Sequence, residues 1–510
     1  MFLRTATTSA FDQRRARFLF PIAALWGIVV LVVLGLVTNY LSLDLTSERF
    51  YLLPWALLTG VVVIMPAVFL LYRGEFDPCH PLVFLAWSYF LPAFCVGGII
   101  LALGLVDEPH LAFITDQRYY LPLTFVYIIV GFGSMILGFA APLGRFLGQK
   151  IYTKLPSWRW SDEKIWRPAL VLFSIGILTT ISGFVSGILG FQLNSTRESY
   201  DGALYLLTLF WTEGSFVLWL YVWRGPVTKT RLYVILSILV SAWLVRASLL
   251  GNRGALWSML TTALFAYILA GRRMNLRSAI VTASLGVVVL VVGVIYGTTF
   301  RDLKGTEDRI NIGAYAELVP STLSELAQKG PATNLQSALD TLGERIESVG
   351  VLGVVVANYE KLAPEERAYG IDNNIWYSTV YFLIPRIVWP EKPVAFEIRS
   401  YSDLYFDYRD SSFQITPIGD LLRNFGPIGV PLGMIFFGII LRILYSALIS
   451  DKPFSYWRAT VYFMIFSALS MEGTFSFIIP TIANMIFVSV VGMLLFRLML
   501  GKGGTGEAST

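Results

Sequence analysis

Apolar windows of about 17 to 25 residues, long enough to cross the hydrocarbon of a bilayer as helices, recur along almost the entire chain. Inside a bilayer a helix satisfies its own backbone hydrogen bonds, so the windows restrict the fold more than any motif does. They fall at residues 18–40, 50–72, 80–104, 119–142, 167–191, 204–223, 232–250, 254–271, 278–299, 424–448, 456–472 and 475–498. Charged residues make up only 14% of the chain, against roughly 25% in a soluble domain. The expectation is an all-α polytopic membrane protein of about twelve transmembrane helices. The first window follows Arg14, Arg15 and Arg17 as a signal sequence would. No small-residue cleavage site lies behind it, so it reads as an uncleaved first span.

The windows stop once, between Phe300 and Arg423. The chain thus divides into residues 1–299 with nine spans, a large polar loop over 300–423, three spans over 424–498, and a Gly-rich tail over 499–510 that reads as disordered. Lys and Arg crowd one set of short loops (Arg145, Lys150, Arg224, Lys229, Arg272, Arg273), whereas the short loops of the other face hold only Arg49, Arg118, Arg197 and Arg253. The positive-inside rule then places both termini in the cytoplasm and the large loop outside it. The pI of about 9.0 reflects this sorting, not affinity for nucleic acid. Within the loop, apolar spacing over Leu335–Lys361 predicts one amphipathic helix, and Ile375–Val388 reads as an interfacial or buried segment too short to span.

Several charged residues stand where charge is costly or ordered. Arg246 lies in the last turns of an apolar helix and Arg253 just beyond the turn that follows. Either Arg246 snorkels to the headgroups, or the two anchor an anionic group such as a pyrophosphate, which an arginine fork grips in paired bonds. Glu213 sits mid-span and is read as an ion-pair partner of a buried arginine or as a functional acid. Arg386 and Lys392 lie in Pro385-Arg386-Ile-Val-Trp389-Pro390-Glu-Lys392-Pro393, where three prolines stiffen the backbone. They are either held toward a ligand or simply solvated. Asp420 and Arg423 precede the tenth window, Arg301 opens the loop, and Glu472 lies in the last outer turn. Asp420, Glu472 and Arg386 are the catalytic candidates, and Arg246, Arg253, Arg301, Lys392 and Arg423 the pyrophosphate- or glycan-binding ones. Cys79 and Cys95 suggest neither a disulfide nor a metal site, no P-loop, GxGxxG or GxSxG is present, and neither His80 nor His110 falls within the loop. No metal and no cofactor are expected.

Three stretches carry a resemblance: the Arg253-Gly step, Ile384-Pro385-Arg386-Ile-Val-Trp389-Pro390-Glu-Lys392-Pro393, and Thr416-Pro-Ile-Gly-Asp420-Leu-Leu-Arg423-Asn424-Phe425-Gly426-Pro-Ile-Gly429. Over roughly residues 230 to 450 the chain resembles the Wzy-type O-antigen and oligosaccharide repeat-unit polymerases. The resemblance implies a GT-C-like membrane glycosyltransferase of the bacterial cytoplasmic (inner) membrane. Such an enzyme joins undecaprenyl-pyrophosphate-linked oligosaccharide units at the outer face, in O-antigen, capsule or exopolysaccharide synthesis. The partners it implies are those lipid-linked units, membrane lipid, and a chain-length regulator and flippase of the same pathway. Arginines would stabilise the leaving pyrophosphate and a carboxylate would deprotonate the acceptor hydroxyl. An O-antigen ligase shares this topology but uses a histidine in the outer loop, which is lacking here. A lipid-linked oligosaccharide flippase should carry more intramembrane charge than Glu213, Arg246 and Arg442 supply.

Overall fold

The computed structural model describes residues 48–500 apart from 107–108, 159, 187–188, 190–200, 226–227, 251–252, 273–275, 305–311, 382–383, 385–387, 390, 392–397, 409–412, 414 and 451. Among the described residues every regular element is helical. The first ten helices are α1 (Leu53–Arg73), α2 (Pro81–Leu103), α3 (Gln117–Ala140), α4 (Pro142–Tyr152), α5 (Trp166–Val185), α6 (Asp201–Thr208), α7 (Phe210–Arg224), α8 (Lys229–Leu250), α9 (Arg253–Leu269) and α10 (Leu276–Lys304). The polar segment holds α11 (Ile312–Lys329), α12 (Pro331–Ile346), α13 (Val349–Tyr369), α14 (Asn374–Tyr381) and α15 (Ile398–Phe406). The chain closes with α16 (Thr416–Leu448), α17 (Tyr456–Ala468) and α18 (Phe475–Leu500).

Nine helices among the described residues are long and apolar enough to cross a membrane, which makes this a polytopic helical membrane protein. Eleven of the twelve windows coincide with helices, α6 and α7 together making one span over Leu204–Arg224 and α9 and α17 being shorter than the rest. The window at 18–40 and the tail at 501–510 lie outside the described residues. The surfaces fit the bilayer reading. On α1, Leu57, Val61, Met65 and Phe69 form an exposed i, i+4 stripe, whereas Ala56, Gly60 and Val63 are buried. A soluble protein could not leave such a stripe bare.

Glycines let the helices meet. A Cβ on Gly138 would lie 2.0 Å from the Ile435 carbonyl oxygen, and one on Gly438 2.2 Å from that of Met135, so α3 and α16 touch backbone to backbone. Residue numbers rise together along the contact, Gly131 facing Val430 and Gly148 facing Ser446, so α3, continued by α4, runs parallel to α16. On the other side of the bundle a Cβ on Gly176 of α5 would meet the Trp211 backbone nitrogen of α7 at 2.0 Å. Without a hydrophobic driving force between helices in lipid, such close approach is what joins them.

The tenth window differs from its expected form. Its helix begins at Thr416, eight residues before residue 424, and is broken at Gly426, where φ is 68° and ψ −166°. Only glycine adopts that conformation cheaply. Residues 416–425 therefore form a separate piece of helix carrying Asp420 and Arg423 well inside it, not at an N-cap. Gly426→Ala should lower stability by about 1–3 kcal/mol, read as a drop in the melting temperature of the detergent-solubilised protein. An unchanged midpoint would mean that the break is not needed.

The segment between α10 and α16 is not a loose loop. The single amphipathic helix expected over 335–361 is two helices, with a break at Glu347 and Ser348. The break sits on α2, which is wound as a π-helix over Ala86–Val96. The Ser348 N–H donates to the Ala93 carbonyl at 3.5 Å, and a Cβ on Gly97 would strike the Ile346 carbonyl at 2.8 Å. Beyond the break, Val349–Ala357 of α13 is buried almost without interruption, packed against the starts of α3 and α16. α14 exposes Trp376, Tyr377 and Val380, as an interfacial helix would. We call this end of the bundle, where α10 finishes and α16 starts, the loop end.

Candidate functional site

The broken start of α16 organises a buried polar network at the loop end. Arg423 directs both ends of its guanidinium into the polar segment. Nη1 donates to Glu366 Oε2 at 2.9 Å and to the Ile371 carbonyl at 3.0 Å, while Nη2 donates to that carbonyl and to Asn374 Oδ1, each at 2.9 Å. Its Cζ lies 4.8 Å from the Tyr401 ring, which stacks on Tyr405 at 4.6 Å. The Tyr405 hydroxyl donates to Glu366 Oε1 at 2.7 Å. Burial pushes the Glu366 carboxyl above its usual pKa, and the adjacent Arg423 and Tyr405 hydroxyl oppose that shift.

Asp420 is wholly buried and both of its oxygens are engaged. Oδ1 accepts from Asn374 Nδ2 at 3.0 Å and from Asn424 Nδ2 at 3.1 Å, and lies 3.6 Å from Arg423 Nε. Oδ2 accepts the Ser476 N–H at the start of α18, at 2.9 Å. Asn374 Nδ2 also reaches Ser476 Oγ at 3.0 Å. The network thus ties α13, α14 and α15 to α16 and α18. Asp420 and Arg423 are brought together as the sequence suggested, but their hydrogen bonds go to protein groups. Glu472, in the turn before α18, is exposed.

A second cluster surrounds Arg246, near the loop end of α8. Its Cζ lies 5.1 Å from the Trp211 ring and 5.2 Å from the Trp243 ring, and its buried Nη1 has no hydrogen-bond acceptor among the described residues. The Gly176 contact sets the position of Trp211, and Tyr296 of α10 donates to the Ser248 carbonyl at 2.9 Å, holding the end of α8. Glu213, two residues from Trp211, forms no ion pair with Arg246. Its carboxyl is wholly buried against Gly492 of α18, and among the described residues neither oxygen has a hydrogen-bond donor. Arg301 ends α10 half-buried, with Arg345 and Asp302 in electrostatic range. Arg253 opens α9, its side chain outside the described set, and Arg386 and Lys392 also lie outside the described residues.

Two loop-end features carry no signal in the sequence. One is a polar cavity of about 560 Å³ lined chiefly by Arg49, Tyr51, Thr115, Asp116, Gln117 and Arg118. Arg49 Nε donates to Gln117 Oε1 at 3.3 Å, and Gln117 in turn donates to the Leu111 carbonyl at 3.0 Å. The other is His110, whose Nε2 lies 3.9 Å from Glu347 Oε2 across the helix break, with both side chains buried. The polar segment lacks a histidine of its own, yet it folds onto one. Glu347 Oε1 accepts the Gly350 N–H at 2.7 Å and so caps α13.

Burial pushes the Glu347 carboxyl up to about 7 and drives the His110 imidazole down to about 4. A carboxyl raised from 4.5 binds protons more tightly when folded, so its stabilisation is full below 4.5 and is lost as the pH climbs to about 7. His110, lowered from 6.5, acts in the opposite sense, its cost appearing as the pH falls through the interval from 6.5 to about 4. Glu347→Gln keeps an acceptor for Gly350 and cannot ionise. It should therefore melt higher relative to the unsubstituted protein at pH 8 than at pH 5. Equal differences at the two pH values would contradict a buried, proton-binding Glu347.

No family model, curated protein or solved structure matches the chain.

Proposed function

We propose that the protein is a membrane glycosyltransferase of the repeat-unit polymerase type. In this reading it transfers a growing glycan from its undecaprenyl-pyrophosphate carrier to the sugar of an incoming lipid-linked unit. The observation that carries the proposal is Arg246. A guanidinium caged by two indoles near the end of an apolar helix, with a buried N–H₂ that meets no acceptor among the described residues, has given up hydration without gaining an anion from them. That state is costly unless an anionic ligand completes it. A lipid-linked pyrophosphate, brought in at membrane depth, has the charge and the oxygen geometry for it.

In this reading the residues divide the labour among them. Arg246 stabilises charge developing on the leaving pyrophosphate as the glycosidic bond breaks, without a change in its own protonation. The cavity beside Arg49 and Arg118 offers donors and acceptors suited to sugar hydroxyls. Asp420 and Arg423 act as positioning residues that hold the polar segment over the spans. Of the two candidate carboxylates, Asp420 is engaged and exposed Glu472 is the one open to take the acceptor hydroxyl's proton. Arg301, Arg253, Arg386 and Lys392 are further cations for the phosphates or the glycan, and the topology with this end outside the cytoplasm comes from the Lys/Arg asymmetry.

Glu213 favours a second reading. A wholly buried intramembrane carboxyl without a partner among the described residues suits proton-coupled transport of a lipid-linked sugar. Deleting the gene in its native host and resolving surface glycans by length separates the two. Single repeat units without long chains support the polymerase, whereas loss of all surface glycan, single units included, supports the transporter.

A further inference from the structure

At the end of the bundle opposite the polar segment, α5 and α8 begin and α18 finishes around a cavity of about 610 Å³. Lys164, Arg167 and Arg231 line it against a single acid, Glu163, and among the described residues none of the three cations meets a carboxylate. Arg167 and Arg231 flank one indole, with their Cζ atoms 5.5 and 5.6 Å from the Trp166 ring. Arg231 Nη1 donates to the Tyr221 hydroxyl at 3.4 Å, which orients its fork while leaving other N–H groups for a ligand. The N-terminus of α5 adds the positive end of a helix dipole to the same wall.

The rest of the lining is apolar: Met499, 43% exposed, and Leu500 end α18, and Val171 lies one turn into α5. The cavity thus combines a cationic, an aromatic and an apolar lining. A soluble anion would use only the first of these properties, whereas a phospholipid uses all three. Basic pockets between spans, on the side that the charge asymmetry makes cytoplasmic, recognise anionic headgroups, and interfacial tryptophans sit at headgroup depth. We infer that this cavity is a binding site for the phosphate headgroup of an anionic phospholipid, with an acyl chain along Val171 and Met499. The inference is independent of the glycosyl-transfer reading, since it involves the other end of the molecule.

Native mass spectrometry of the purified full chain tests it, with phosphatidylglycerol, phosphatidylcholine and inorganic phosphate as probes. Phosphatidylglycerol should remain bound at collision energies that strip phosphatidylcholine, and millimolar inorganic phosphate should not displace it. Arg167→Ala with Arg231→Ala should reduce the bound fraction roughly tenfold or more, as expected for two headgroup contacts. Arg167→Gln alone, at an exposed position, keeps the fold and should reduce it several-fold. Arg145→Ala with Lys150→Ala, which removes two cations from α4, should leave it unchanged. Equal retention in the Arg167 variants, an equal loss in the α4 control, or displacement by inorganic phosphate would each overturn the inference.

Discussion

Arg423→Ala should destabilise the protein by about 3–5 kcal/mol, the usual cost of breaking a buried ion pair from one side. The side chain is wholly buried and paired with Glu366 at 2.9 Å, with Asp420 behind it at 3.6 Å. Removing it leaves two carboxylates with no other cation paired to them among the described residues, and leaves the Ile371 carbonyl without two of its donors. Arg423→Lys should recover only part of the loss, because an ammonium cannot bridge Glu366, Ile371 and Asn374 as the planar fork does. The measurements are protein amount in the membrane fraction and melting temperature in detergent. Adding Glu366→Gln to Arg423→Ala should recover stability, since it removes one of the orphaned charges. If Arg423→Ala melts with the unsubstituted protein, the network is not what holds the polar segment in place.

Arg246→Ala should have a different signature: normal protein level and a fall of roughly 10²–10³ in glycan transfer, the cost of one preorganised group at a developing charge. Among the described residues Arg246 pairs with no carboxylate, Glu213 included, so truncating it orphans none of them. Lysine should restore part of the rate through charge alone. The assay is glycan chain length at matched expression. Normal chains in the alanine variant would make Arg246 a snorkelling residue and remove the main support for a pyrophosphate site. Comparing the two arginines therefore separates positioning from chemistry, because one should fail in stability and the other in rate.

Most of the membrane architecture was legible because the signal is local. A helix that must satisfy its own backbone in lipid shows itself as a run of apolar residues whatever its neighbours are, and eleven windows coincide with helices. The internal breaks were not legible. The amphipathic pattern continues through Glu347, and the interruption there comes from α2 packing at Gly97 and Ala93, more than 240 residues earlier in the chain. Arg246 stood out because a charge within an apolar run is conspicuous. The partners of Arg423 did not. Glu366, Asn374, Tyr401 and Tyr405 each read as ordinary polar-segment residues, and only folding brings the first three within 5 Å of one guanidinium, with Tyr405 bonded to Glu366 behind them. His110 was set aside for lying outside the polar segment, which folds back to it through Glu347.

Glycosyl transfer from a lipid pyrophosphate can be followed with purified components. Purified protein, reconstituted in lipid with undecaprenyl-pyrophosphate-linked repeat units from the native host, is incubated and the glycans are resolved by length. A polymerase should give a ladder of products differing by one repeat unit and release undecaprenyl pyrophosphate in step with each linkage formed, and Arg246→Ala should abolish both. Repeat units that stay single on their carrier, with well-folded protein present, would contradict glycosyl transfer.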